Sequence, residues 1–199
     1  MTRAQGDAQP PAASVSLDYF DGLYMAKDDP WDLATKWHDR RKYAVTVASL
    51  PREHYRRCYE PGASIGHLTR LLAERCDEVL ATDAIEPAVI QGREIVRDLA
   101  NVRFEQATLP AEMPDGTFDL IVIGDLLYYL SGDDLAATID GLVGRLEPGG
   151  DLVSVHFRDR ENSGSYDGFN AHSSVAERPG LAHVVHHEDE WFLLDVWRR

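Results

Sequence analysis

Residues 59–66 read Tyr-Glu-Pro-Gly-Ala-Ser-Ile-Gly, and residues 79–83 read Val-Leu-Ala-Thr-Asp. Together these stretches predict a strand, a glycine turn, a helix and a second strand that ends in an acid. Gly62 can adopt backbone angles closed to other residues, and Gly66 opens an apolar helix. Asp83 lies where a ribose would bind, because a carboxylate at the end of the second strand accepts hydrogen bonds from ribose hydroxyls. The pattern indicates a nucleoside-cofactor pocket, to which Ala63 in the turn also belongs.

Two residues of the turn distinguish between cofactors. Ser64 occupies the middle position, so the turn lacks the third glycine of a dinucleotide fingerprint and, alone, also fits a tight strand–helix connection. Glu60 would be unfavourable beside a pyrophosphate, but it suits the cationic ammonium and sulfonium groups of S-adenosylmethionine. The stretch therefore favours a sulfonium cofactor over a dinucleotide.

Composition indicates one compact enzyme domain. The 199 residues are 44% hydrophobic, which is enough for a sizeable core but leaves little room for a second one. A formal charge of −14 disfavours nucleic acid and anionic membranes as partners and favours a small-molecule acceptor. No apolar stretch reaches a membrane span of about 20 residues, and no signal peptide is visible, so we expect a cytoplasmic protein. Cys58 and Cys76 have no metal-ligand or redox spacing and are expected to be reduced and structural.

The order of patterns along the chain predicts three segments. Residues 1–16 lack apolar periodicity and are predicted to be a mobile tail, residues 17–55 a helical cap, and residues 56–199 the catalytic domain. Within that domain, predicted strands alternate with helices, which implies a doubly wound, mostly parallel α/β sheet. Residues 183–187 and 191–197 form a closing hairpin, and its short turn requires antiparallel pairing.

Polar residues at the ends of the later strands are candidates for the chemistry. Asp125 ends the fourth strand and His156 the fifth, and both would face the ligand crevice as general bases. Asp125 could instead cap the next helix, and His156 could be a satisfied buried histidine. Tyr128 and Tyr129 are candidates for the acceptor site or for the core. His172 is a further acceptor-site candidate, although a solvent-facing position is favoured for it.

The order of these motifs resembles class I S-adenosylmethionine-dependent methyltransferases. The acidic glycine-rich turn, the acid-tipped second strand, the Phe118-Asp119 strand and the Pro148-Gly149-Gly150 turn all occur in family order over about residues 56–199. Residues 29–31 (Asp-Pro-Trp), 41–43 (Arg-Lys-Tyr) and 127–130 (Leu-Tyr-Tyr-Leu) are similar to the nodulation protein S (NodS) branch. The resemblance implies a seven-stranded Rossmann-like sheet with an antiparallel C-terminal strand and an N-terminal helical cap.

The resemblance also implies roles for particular residues. Arg41 would pair with the methionine carboxylate of the cofactor while Trp31 excludes water, although these residues could simply anchor the cap. Ala84 and Ile85 would pack on the adenosine, and residues 107–109 would meet the adenine. The full set of expected cofactor-binding residues is Trp31, Arg41, Glu60, Gly62, Ala63, Gly66, Asp83, Ala84, Ile85, Ala107, Thr108, Leu109, Gly124 and Asp125.

We expect no metal at the cluster of His183, His186 and His187, because His186 and His187 point to opposite faces of a strand and cannot share one ion, and no other His/Cys/Glu cluster has ligand spacing. The leading function is methyl transfer to nitrogen or oxygen of a small polar metabolite, with an amino sugar as the acceptor that the NodS resemblance implies. Two alternatives stay open: an NAD-dependent oxidoreductase or epimerase on a similar sheet, and a non-catalytic cofactor-binding protein.

Overall fold

A seven-stranded sheet covered by helices forms the body of the molecule. The computed structural model describes residues 9–158 and 166–199. The helices are α1 (Leu17–Ala26), α2 (Trp37–Ala48), α3 (His67–Ala73), α4 (Glu86–Ile95), α5 (Gly132–Arg145) and α6 (Gly168–Ala176). The strands are β1 (Tyr55–Pro61), β2 (Cys76–Asp83), β3 (Val102–Gln106), β4 (Phe118–Gly124), β5 (Leu146–Phe157), β6 (Ala182–Glu188) and β7 (Phe192–Arg198). A short 3₁₀ helix, Leu127–Tyr129, follows β4.

Sheet topology confirms the predicted α/β class. The strand order is β3-β2-β1-β4-β5-β7-β6. The pairs β1–β2, β1–β4, β2–β3 and β4–β5 are parallel, whereas β7 is antiparallel to both β5 and β6. The carboxyl ends of β1, β2, β4 and β5 therefore meet at one edge, where the order reverses beside β1 and ligands bind in sheets of this kind.

Two apolar clusters cover the two faces of the sheet, as expected for strands buried on both sides. One cluster includes Leu72, Leu120 and Val153, and the other includes Ile121, Ile139 and Leu152. All six side chains are inaccessible to solvent. In the described part of the chain, every helix is too short or too polar to cross a bilayer.

The amino-terminal segments differ in part from the sequence expectation. Of the predicted mobile tail, residues 1–8 lie outside the described residues. Residues 14–16 are packed: the Val15 N–H donates to Tyr129 O over 2.8 Å, and the Ser14 hydroxyl accepts from the Ser131 N–H over 2.8 Å. The tail thus ends in an anchored segment beside the carboxyl edge of the sheet.

Two elements near the carboxyl terminus also differ. Strand β5 begins at Leu146, so the Pro148-Gly149-Gly150 sequence lies inside this strand rather than before it. Residues 159–180 are polar and contain Gly and Ser, which predicts either a mobile loop over the substrate or a disordered connection. Residues 168–176 instead form α6, whose Asp167 caps the helix through the N–H groups of Phe169 and Asn170. Residues 159–165 of that expected loop lie outside the described residues.

Candidate active site

A cavity of about 520 Å³ lies at the carboxyl edge of the sheet and is covered by the cap. Its lining includes the glycine turn after β1 and the acid at the end of β2, the two parts of the predicted cofactor pocket. The predicted site residues that line it are Trp31, Glu60, Gly62, Ala63, Asp83, Ala84, Ile85, Ala107, Thr108, Leu109, Gly124, Asp125, Tyr128 and Tyr129. The fold therefore brings the glycine turn, the acid of β2 and the end of β4 around one space.

The glycine turn has the backbone geometry that its sequence predicts. Gly62 has a φ of +67°, and a Cβ atom there would lie 3.3 Å from the Leu126 side chain. Ser64 also has a positive φ, 53°, which a non-glycine residue adopts at a cost on the order of 1 kcal/mol. Its side chain has a specific contact, because the Tyr24 hydroxyl lies 2.6 Å from Ser64 Oγ. Ser64 therefore joins the turn to the cap, which a third glycine could not do.

Glu60 and Asp83 form the acidic wall of the cavity. Glu60 is buried, and its Oε2 atom has no hydrogen-bond partner among the described residues. Burial raises the pKa of Glu60 to about 8; the nearby Thr69 hydroxyl opposes this shift, and the charge of Asp83 adds to it. Asp83 accepts the Ser64 N–H at 2.8 Å and the Ile85 N–H at 3.0 Å, and burial raises its pKa. A buried carboxylate oxygen without a partner is costly, so this wall fits a cationic ligand.

Aromatic side chains of the cap form the opposite wall. The Trp31 ring lies 5.3 Å from Tyr24 and 6.4 Å from Phe20, measured between centroids. Phe20 in turn meets Tyr129 of the 3₁₀ helix edge-to-face at 5.1 Å. These ring contacts pack the cap against the 3₁₀ helix beside the cavity, and Trp31 lies in the cavity lining, as the sequence predicts.

A buried ion cluster joins α2 to the end of β4 beside the cavity. Lys42 Nζ pairs with Asp125, lies 3.3 Å from Asp39 Oδ1, and sits 3.6 Å from the centroid of the Phe157 ring. The other oxygen of Asp125 accepts the Tyr128 hydroxyl at 2.9 Å and the Phe157 N–H at 2.8 Å. Because all these groups occupy its oxygens, Asp125 anchors the end of β4 rather than presenting a free carboxylate.

Sequence reasoning missed two cavity residues at the start of α2. His38 and Asp39 both line the cavity, and His38 Nε2 lies 3.3 Å from Asp39 Oδ2. The His38 ring stacks on Trp191 at 4.8 Å, and burial raises the pKa of Asp39. An imidazole beside a carboxylate can serve as a proton acceptor. The adjacent His38 and Asp39 in the helical cap were the available signal, but the general bases expected from the sequence lie at strand ends.

His156 and His172 do not line the cavity. The Leu127 N–H donates to His156 Nε2 at 3.2 Å, so the Nδ1 of this ring carries the hydrogen that reaches His172 Nε2 at 3.0 Å. His172 Nδ1 then meets Asp195 Oδ2 at 2.6 Å. Burial lowers the pKa of both histidines, so both rings are neutral. His172, for which the sequence favoured a solvent-facing position, is instead buried in α6, where it links His156 to Asp195 by hydrogen bonds.

Two expected cofactor residues also lie away from the cavity lining. Arg41 pairs with Asp189 in the β6–β7 turn and lies over the Phe192 ring at 5.3 Å. Successive helix residues point about 100° apart, so Lys42 faces inward and Arg41 faces the hairpin. Lys36 is the lysine that lines the cavity in the described structure.

Gly66 is the second expected cofactor residue outside the cavity lining. It caps α3, and a Cβ atom there would lie 3.1 Å from Phe104.

Comparison with known proteins agrees with this geometry. The family model of nodulation protein S (NodS) matches residues 22–171. The nodulation protein S of Rhizobium tropici is 30% identical over 138 residues, covering 68% of this chain and 58% of the relative. This chain spans about three fifths of the length of the curated relatives that it matches first.

Solved structures share the fold. A candidate methyltransferase from Pseudomonas syringae is 40% identical with a TM-score of 0.74, covering 82% of this chain and all of that one (100%). The N-methyltransferase NodS of Bradyrhizobium japonicum, in complex with S-adenosylhomocysteine, has a TM-score of 0.80 at 24% identity, covering 90% of this chain and 96% of that one. With the family model matching most of the chain, this protein belongs to the NodS family.

Proposed function

We propose that this protein is an S-adenosylmethionine-dependent methyltransferase that methylates an amine nitrogen of a small polar metabolite. The single observation that carries the proposal is that Glu60, whose Oε2 atom is buried without a hydrogen-bond partner among the described residues, lines the same cavity as Asp83 and the glycine turn. Family membership supports it, since the NodS structure from Bradyrhizobium japonicum is that of an N-methyltransferase with bound S-adenosylhomocysteine.

The residues present fit the cofactor. Glu60 would hold the ammonium group, Asp83 the ribose hydroxyls, and Lys36 the carboxylate, while Ala84 and Ile85 would pack on the adenine ring. When bound, S-adenosylmethionine supplies an electrophilic methyl group for in-line transfer. The protein contributes alignment, which is worth about 7–11 kcal/mol at best, and the aromatic cap excludes water.

The charge of the lining indicates the acceptor class. Five acidic residues line the cavity, Asp39, Glu60, Asp83, Asp125 and Asp134, against the one lysine, Lys36; the buried Lys42 behind the lining already pairs with Asp39 and Asp125. This lining attracts cationic amines and repels phosphate. Amino sugars, which carry an amine without a phosphate, are therefore the acceptors to test first.

An ammonium group must lose its proton before it attacks. We place this role on His38, which lies beside Asp39 in the cavity lining, because both ring nitrogens of His156 are used in hydrogen bonds and its ring does not line the cavity. Tyr128 and Tyr129 are not alternatives, since burial raises the pKa of both phenols. Both rings would instead position the acceptor.

Isotope-labelled S-adenosylmethionine tests the reaction with a panel of amines. We expect label in an amino sugar, and a kcat/KM at least about tenfold lower for phosphoethanolamine, whose phosphate meets the acidic lining. Preference for phosphoethanolamine would refute the acceptor class. Binding of NADH in place of S-adenosylhomocysteine would refute the cofactor, and cofactor binding with no transfer to any amine would leave a non-catalytic protein.

His38→Gln tests the proton acceptor. We expect kcat near pH 7 to fall by about 10²- to 10⁴-fold, the usual contribution of a general base, while S-adenosylhomocysteine binds as before. His54→Gln is the matched control, because His54 is exposed, pairs with Asp77 at 2.7 Å and does not line the cavity. Unchanged kcat in His38→Gln would remove His38 from the chemistry.

A further inference from the structure

A bulge in the C-terminal hairpin brings three potential metal ligands together on one side of the sheet. In the register of β6 with β7, His183 lies opposite Trp197 and Val185 opposite Val196, so Val184 is the extra residue. On a regular strand, His183 and His186 would point to opposite faces. Because the bulge shifts the alternation by one residue, both rings point to Asp195 of β7 instead.

The three donor atoms already lie close to one another. His183 Nε2 lies 2.6 Å and His186 Nδ1 lies 2.8 Å from the same oxygen, Asp195 Oδ1, and all three atoms fall within 4.8 Å of one another. Ligands of a tetrahedral Zn²⁺ ion with bonds near 2.0–2.2 Å stand about 3.3 Å apart. A shift of under about 1 Å by the two rings would reach that spacing, and both rings are half exposed, at 50% and 49%.

The surroundings also resemble the outer contacts of a metal site. The second carboxylate oxygen of Asp195 is held by His172 at 2.6 Å, which fixes the carboxylate and leaves Oδ1 facing the histidines. When His186 coordinates through Nδ1, its hydrogen moves to Nε2, which lies 3.9 Å from a carboxylate oxygen of Glu188. A carboxylate behind a coordinating histidine is the usual outer arrangement of such sites.

We propose that His183, His186 and Asp195 form a binding site for a divalent transition-metal ion, with Zn²⁺ as the reference ion. Two imidazoles favour Zn²⁺ and its neighbours over Mg²⁺ or Ca²⁺, which prefer oxygen ligands. The remaining coordination position faces solvent and is open to water. The site joins β6 to β7 at the sheet edge and uses no residue of the methyl-transfer cavity, so its test is independent of the proposed function.

Titration calorimetry with Zn²⁺ on the full chain, purified without a histidine tag, is the direct test. We expect one ion per chain, and a dissociation constant raised at least about tenfold in both His183→Ala and His186→Ala. His187→Ala is the matched control, because His187 lies on the same strand but pairs with Asp189 at 3.0 Å instead. It should bind Zn²⁺ as the unaltered protein does.

Two spectroscopic readouts give a second measurement on the same variants. Bound Co²⁺ should show d–d absorption, and it should quench the fluorescence of Trp197, whose ring centroid lies 5.7 Å from that of His183. Thermal unfolding without metal verifies that each variant is folded. Absence of saturable binding, or binding that His183→Ala and His186→Ala leave unchanged, would overturn the proposal.

Discussion

At the scale of single residues, Glu60 is both a buried acid and the proposed contact of the cofactor's ammonium group. Its folded-state pKa of about 8 lies above the ordinary 4.5, so the folded protein holds an extra proton between those values. The contribution of Glu60 to stability is therefore complete below about pH 4.5 and is lost as the pH rises through 8. We expect the free energy of unfolding of the ligand-free protein to decline over this range, and Glu60→Gln to remove that part of the decline. Denaturant unfolding at a series of pH values measures it.

Cofactor binding should show the opposite dependence on pH. A cationic ligand favours ionised Glu60, so affinity for S-adenosylhomocysteine should rise from pH 6 to pH 8, by at most about tenfold per unit for one proton. Glu60→Gln should bind more weakly at pH 8 with a flat profile. Calorimetry in buffers of different ionisation enthalpy would detect the released proton. A parallel slope in both proteins would show that Glu60 does not contact the cation.

Asp83 is the residue expected to hold the ribose. Asp83→Ala should weaken S-adenosylhomocysteine binding by about 10-fold or more, since a charge-assisted hydrogen bond contributes about 1.5–3 kcal/mol. The substitution also releases the N–H groups of Ser64 and Ile85, so unfolding must be measured beside calorimetry. Unchanged affinity in a folded variant would remove Asp83 from the site.

Residue types at strand ends could be predicted from sequence, but side-chain direction inside the cap could not. Glu60, Asp83 and the glycine turn follow local rules of βαβ units, and all line the cavity. Arg41 was expected to pair with the cofactor carboxylate through charge-assisted hydrogen bonds. The inward direction of Lys42 depends on how α2 is rotated against the sheet, which a polar helix with a buried lysine does not reveal.

At the scale of elements, the hydrogen-bonded series from Asp195 through His172 and His156 to the Leu127 N–H fixes the 3₁₀ helix that carries Tyr128 and Tyr129, the tyrosines proposed for the acceptor site. His156→Leu leaves the Leu127 N–H and His172 Nε2 without partners. We expect a loss of about 2–4 kcal/mol in the free energy of unfolding, because each buried group left without a hydrogen bond costs about 1–3 kcal/mol. Chemical denaturation measures it.

A kinetic measurement distinguishes this positioning role from general-base catalysis. If His156 only holds the 3₁₀ helix, His156→Gln lowers kcat without moving the pH at which activity begins to fall on the acid side. Disappearance of that acid limb would restore His156 as the base.

His54→Leu is the control for the unfolding measurement on His156→Leu. Because His54 is exposed, the free energy of unfolding of His54→Leu should stay within about 0.5 kcal/mol of that of the unaltered protein.

Helices and strands with a strong apolar pattern could be predicted from the sequence. Elements whose form depends on contacts with other parts of the fold could not. Strand β4 contains the continuous apolar run 120–123, and the sequence predicts a strand over residues 118–124, where it lies. Helix α6 is nine residues long in a polar, Gly- and Ser-containing region, so its stability comes from the Asp167 cap and from burial of Ala171 and Val175. The bulge at Val184 depends on pairing with β7 and leaves no local signal.

At the scale of the whole molecule, the cap has its own apolar cluster, separate from the two that cover the sheet. Tyr24 and Leu33 of the cap meet Ile65, Ile85 and Ala88 at the start of α3 and α4. A small cluster of this kind costs less to open than the sheet core, so the cap is expected to open locally before the sheet does. The cap contacts Ser64 and Ile85, and both of these residues line the cavity. A ligand that fills the cavity should therefore hold the cap closed.

Hydrogen exchange measures this closure. Without ligand, α1 (Leu17–Ala26) should exchange faster than β4, and S-adenosylhomocysteine at 100 times its dissociation constant should slow α1 by up to about 100-fold. Tyr24→Phe, which removes the hydroxyl contact with Ser64, should weaken ligand affinity about fivefold, equivalent to about 1 kcal/mol. Tyr19→Phe is the control, because the Tyr19 ring is 57% exposed on the same helix. Equal exchange of α1 with and without ligand would mean that cavity occupancy does not restrain the cap.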